Sequence, residues 1–190
     1  MKRIALLAPW VLLAPGAALA HSAEAGGLVS GLSHPILGPD HVVAMVAVGL
    51  WGAILGRPAL WALPVAFPLV MAFGGMLGIM GVPLPSVETA IALSGVVLGL
   101  LVAFAVRLPL VPACLIVGTF ALFHGYAHGA ELPASANPLA FAVGFVISTG
   151  ALHLLGVGVG EATVARGKPI LRTLGAAIAL TGGAFLAGLA

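Results

Sequence analysis

Charge is scarce in this chain: only 6% of its 190 residues are Asp, Glu, Lys or Arg, where a soluble domain carries roughly a quarter. An ordinary soluble globule is thereby excluded, and 62% hydrophobic residues with a mean hydropathy of +1.24 place the chain in lipid. Basic residues are too few and too scattered for a nucleic-acid surface. The single cysteine, Cys114, cannot form an intrachain disulfide and falls in an apolar run, where packing accounts for it. There is no Walker sequence and no soluble domain to hydrolyse ATP. Work done across the membrane must therefore draw on an ion gradient, the membrane potential or trapping in the cytosol.

What the chain does have is apolar length. Residues 1–20 carry the three parts of a secretory signal: Lys2-Arg3, an apolar run from Ile4 to Leu13, and Ala18-Leu19-Ala20 as a cleavage site. Pro9 and Pro15 break the run, which favours a cleaved signal over a retained first helix and leaves His21 as the new terminus. Residues 21–190 are then expected to form one all-α domain, a polytopic bundle of six transmembrane helices at about 40–56, 59–80, 87–106, 109–129, 138–160 and 170–189. Each is close to the roughly 20 residues a bilayer requires. The connections are short, with no linker and no internal repeat.

A cleaved signal sets the mature N-terminus outside. Arg57, Arg107, Arg166, Lys168 and Arg172 then all fall on the cytoplasmic side, as short-loop topology rules require. Charge placement is independent of hydropathy, and it supports an inner-membrane protein with both mature termini in the periplasm. Glu24, Asp40, Glu88 and Glu131 lie at or near the outer face with His21, His34, His41 and His128, while His124 is a turn deeper and Glu161 alone is inside. A rim of carboxylates and imidazoles without Lys or Arg concentrates cations.

The stretch Phe123-His124-Gly125-Tyr126-Ala127-His128-Gly129-Ala130-Glu131 carries the densest polarity. His124 and His128 are four apart and Glu131 follows three later, so on a helix all three project from nearly one face. The second constellation is His34-Pro35-Ile36-Leu37-Gly38-Pro39-Asp40-His41. Its prolines and glycine keep His34 off any regular helix shared with Asp40 and His41, and the stretch is expected to bend before the first span, holding His34 over the start of that helix. Imidazole nitrogen with carboxylate oxygen suits Ni²⁺, Co²⁺ or Zn²⁺; an all-oxygen cage would suit Mg²⁺ or Ca²⁺, and thiolates would suit Cu(I).

The two motifs together, His34-x5-Asp40-His41 and Phe123-His124-Gly125-x-Ala127-His128-Gly129-x-Glu131, resemble the paired signature of the HupE/UreJ family of nickel permeases, and the signal and six-span layout extend the likeness to the whole chain. The resemblance implies secondary nickel uptake for hydrogenase or urease maturation, with His34, Asp40, His41, His124, His128 and Glu131 carried over as metal ligands. Cobalt would be handled by similar ligands. It implies no enzyme activity and no permanently bound cofactor, the ion being cargo. The expected partners are a transition-metal ion and the bilayer, with a homo-oligomer and a downstream nickel metallochaperone left open.

Plainer readings stand beside these. His124 and His128 could lock helices together through hydrogen bonds, Asp40 could cap a helix start, Glu131 could be a solvated loop charge, and Glu88 suits a helix N-terminus. Met45 reads as packing, and His153 as either a midplane relay or a hydrogen-bonded core residue. His21 is a weak ligand candidate on a free terminus. From other classes, an intramembrane metalloenzyme or haem protein would use paired histidines such as His124 and His153, and a serine hydrolase would need Ser94 or Ser148 beside a histidine base. Gly74, Gly75, Gly78, Gly95, Gly99, Gly156 and Gly160 supply small faces at helical spacing for close helix approach.

Overall fold

In hydrocarbon each backbone N–H and C=O must find a partner within the protein, and a run of about 20 residues that is apolar on every side does so as a helix. The computed structural model describes residues 27–132, 137–166 and 168–189 and has no strand among them. Its helices are α1 (Leu28–Leu37), α2 (Pro39–Leu55), α3 (Ala59–Ile79), α4 (Val87–Ala103), α5 (Leu110–Ala130), α6 (Pro138–Arg166) and α7 (Lys168–Leu186). The expected signal, His21 and Glu24 lie outside the described residues.

Helices α2 to α7 occupy the six segments expected to be apolar spans. Among the described residues α3, α5, α6 and α7 are long and apolar enough to cross a membrane, whereas α4 has only 17 residues. α2 attains that length only together with α1, from which it is bent by 83°. The bend was legible; the helix before it was not. His34 sits on a ten-residue helix rather than on irregular backbone. The chain turns at Gly38, and Pro39, whose ring already holds a helical φ, opens α2 at its first position.

Small residues set the helix spacing. α3 and α5 lie side by side with Gly74 against the Leu122 carbonyl, Gly78 against that of Tyr126, and Gly125 and Gly129 against those of Met71 and Gly75. A Cβ at any of these four positions would collide with the opposite main chain. Similar approaches join α2 to α6 at Gly49 and Gly156, α4 to α7 at Gly99 and Gly175, and α1 to α6 at Gly31 and Gly144. The apolar core, with Leu50, Trp51, Leu63, Phe67, Leu98, Val102 and Val117 fully or almost fully buried, fills the centre. Leu69, Phe73, Leu115, Ile147 and Leu180 point outward, as a bundle facing lipid requires.

The two ends of the bundle differ in chemistry. The Trp51 indole donates to the Val106 carbonyl at 2.8 Å, tying the C-terminal end of α2 to the connection after α4. Arg57 and Arg107 are exposed at that end. The opposite end, where α2 begins and α5 finishes, holds His34, His41, His124 and His128.

Candidate metal centre

Three helices deliver the polar residues to one place. α1 carries His34 in its last turn, α2 begins with Asp40 and His41 in its first turn, and the final two turns of α5 bring His124 and His128, with Glu131 as the residue that ends the helix. Ring centroids are 4.6 Å apart for His34 and His128, 4.6 Å for His41 and His128, and 5.1 Å for His41 and His124. His34 and His41 are 6.3 Å apart. All six residues singled out from the two motifs therefore meet at one end of the bundle. Burial is graded along the cluster: Glu131 is exposed, His34 and Asp40 are partly covered, His41 and His128 are buried, and His124 has no exposed surface.

The hydrogen bonds fix how two of the rings present themselves. His41 Nδ1 donates to the Asp40 carboxylate at 2.7 Å, and His124 Nδ1 donates to the Phe120 carbonyl at 2.9 Å. Both partners can only accept, so each Nδ1 must carry the proton and each Nε2 keeps its lone pair. His41 Nε2, His124 Nε2 and both nitrogens of His128 are buried without a hydrogen-bond partner. Leaving such a group unpaired costs about 1–3 kcal/mol, and rings held by one nitrogen with the other turned inward are what a metal site requires. Asp40 does not cap α2, since no side-chain bond to the backbone is made there.

Ligand atoms of His34, His128 and Glu131 lie within 4.8 Å of one another. Two donors on opposite sides of an ion about 2.1 Å from each are about 4.2 Å apart, so a slight contraction would close this set around a metal. Burial, followed by His41, holds the His34 pKa below its ordinary value, and the Glu131 and Asp40 carboxylates oppose that shift. Two carboxylates with neutral imidazoles balance one divalent cation, which in a low-dielectric site avoids a large uncompensated charge.

The site has walls that sequence reading did not find. The Phe145 ring lies tilted 4.4 Å from that of His128, Phe141 lies 5.8 Å from His34, and Phe67 lies 5.6 Å from His124. Nothing in an apolar run distinguishes these phenylalanines from lipid-facing ones. An apolar cleft of about 240 Å³ between α3, α5 and α6, lined by Met71, Met76 and Met80 among others, reaches His128. Glu88 stands exposed in the first turn of α4, the position its helix-terminal reading requires.

The alternative chemistries fit less well. The fully buried Phe67 ring lies against both His124, at 5.6 Å, and His153, at 5.1 Å. It takes up the space that a porphyrin bridging that pair would need. Ser94 donates to the Ile91 carbonyl and Ser148 has no partner, so neither hydroxyl is hydrogen-bonded to a histidine.

The sequence profile described as HupE / UreJ protein matches residues 9–185. Protein HupE of Rhizobium leguminosarum bv. viciae is 49% identical over 179 residues, which cover 93% of this chain and 94% of that protein. No solved structure matches the chain.

Proposed function

The chain belongs to the HupE/UreJ family, and on that premise we propose that it is a secondary transporter bringing a divalent transition metal, nickel, across the inner membrane to supply hydrogenase or urease maturation. The observation that carries this reading is the convergence of His34, His41, His124 and His128 at one end of an apolar bundle, with buried lone pairs turned inward and two carboxylates beside them. Intramembrane ionisable residues are costly and mark ion pathways.

The ion enters over Glu131 and His34, exchanges water for imidazole and carboxylate ligands, and passes inward to His41 and His124. Asp40 acts through His41, orienting its ring and raising its basicity. Binding must be moderate, because an ion held too tightly does not leave. A membrane potential of 100 mV, negative inside, favours entry of a divalent ion by about 4.6 kcal/mol. In this reading α2 to α7 are six spans, the histidine end faces the periplasm with both mature termini, and Arg57 and Arg107 face the cytoplasm. The protein has no catalytic role and no resident cofactor.

Uptake of radioactive nickel by cells expressing the chain, with cobalt and zinc as competitors, tests the function. Uptake should exceed that of cells lacking the chain and should be lost with His124→Ala; equal uptake in all three would end the proposal. Cysteines placed at Arg57 and Arg107 should resist impermeant reagents added from outside. Labelling from that side would reverse the orientation.

A further inference from the structure

The outer chamber leaves one buried imidazole unused. His153, near the middle of α6, has no exposed surface, and neither of its ring nitrogens has a hydrogen-bond partner. One turn before it on the same helix face, Thr149 is also fully buried and its hydroxyl is unpaired. Ser148 beside it is likewise buried and unpaired, whereas other helix hydroxyls find a carbonyl. Thr119, Thr163 and Thr181 each donate to the carbonyl four residues earlier, and Ser94 to the carbonyl three residues earlier. A threonine in an apolar helix ordinarily satisfies itself this way, so Thr149 holds a hydroxyl free where doing so is costly.

A third polar group comes from α3. Pro68 follows Pro64 by four residues, and proline has no N–H, so the Pro64 carbonyl loses its helical partner. Pro64 lies one turn before Phe67 on the same face of α3, and the Phe67 ring is 5.1 Å from that of His153. An imidazole, a hydroxyl and a freed carbonyl therefore lie in one region of the apolar core.

The position is inward of the outer chamber. The His153 carbonyl packs on Gly49, which is eight residues beyond His41 on α2 and so about 12 Å further along that helix. Between the two levels stand Met45, fully buried one turn after His41, and the Phe67 ring, 5.6 Å from His124 and 5.1 Å from His153.

We propose that His153, Thr149 and the Pro64 carbonyl form a second, inner station for the transported divalent metal ion, divided from the outer histidine chamber by the Phe67 ring, which must swing aside for the ion to pass. The proposal rests on the transport reading above. Nitrogen and oxygen donors without a carboxylate make a weaker site than the outer one, which suits a station from which the ion must leave.

The test uses the full chain, purified in detergent for equilibrium Ni²⁺ binding and reconstituted into liposomes holding a nickel-quenched dye. The unmodified chain should bind about two Ni²⁺ and His153→Ala about one, with import falling about tenfold or more, in line with the loss of a metal-site residue. Thr149→Val, which keeps the side-chain shape, should weaken only the second binding event. If His153→Ala does not fold, His153→Gln, close in size and a poor nickel ligand, takes its place with the same expectation. Import and stoichiometry unchanged in these variants would overturn the inner station, as would lost import with undiminished nickel binding. If the unmodified chain neither binds nor imports nickel, it is the transport reading itself that fails.

Discussion

The Asp40 carboxylate accepts a hydrogen bond from His41 Nδ1 at 2.7 Å, and this contact decides which nitrogen of His41 is left for a metal. Replacing Asp40 by Ala frees the ring to rotate and removes a negative charge from the chamber. Nickel affinity should fall about 10–100-fold, the usual loss when a partner of a ligating histidine is removed. Asp40→Asn, which keeps an acceptor oxygen, should lose less, and Glu88→Gln less again. Equilibrium binding to purified protein gives the order, and Glu88→Gln ranking worst would mean the entrance lies at α4.

His128 shows the opposition between stability and function most sharply, because both its nitrogens are buried and unpaired. His128→Phe removes two orphaned polar atoms and keeps an aromatic ring against Phe145. In metal-free detergent solution it should unfold at the same temperature as the parent or higher, since deleting an unsatisfied group can be neutral or stabilising. Nickel uptake should nevertheless be abolished. A large drop in thermal stability would show that the ring does structural work.

Acidification should weaken binding. Only neutral imidazole ligates a metal, so each proton taken up by a chamber histidine competes with the ion. Burial holds His34 below the ordinary histidine value of about 6.5, so affinity stays high down to that pH and falls only below it. Nickel titrations from pH 8 down to pH 5 would read this directly. Affinity that already falls between pH 8 and 7 would mean that protons compete at a group other than a buried imidazole.

Gly125 lies one residue after His124 and against the Met71 carbonyl, where a Cβ would collide with main chain. Gly125→Ala should force α3 and α5 apart and cost about 1–3 kcal/mol, as overpacking generally does. Gly118→Ala, two turns earlier on α5, meets only a Val70 methyl at 3.6 Å and should be tolerated. Thermal unfolding of the two variants in detergent provides the comparison, and equal stability would remove the close helix approach as a determinant of the site.

Much of this was open to reading from composition and spacing alone. Apolar runs located α2 to α7, because in lipid a continuous apolar stretch of about 20 residues satisfies its backbone as a helix. The spacing of His124 and His128 by itself puts both on one helix face, and Gly38-Pro39 announces a change of direction. Rotation of each helix about its own axis was not legible. A helix apolar on every side has no polar face to mark which residues turn inward, so Phe67 and Phe145 could not be told from the lipid-facing Phe73. The helical state of the residues around His34 was hidden as well, since Pro35 reads as a breaker until α6 packs against Gly31. Above all, only the assembled bundle could bring His34, His41 and His128 together from three helices and leave His153 and Thr149 without partners, because those distances are set by interhelical packing and not by any local pattern.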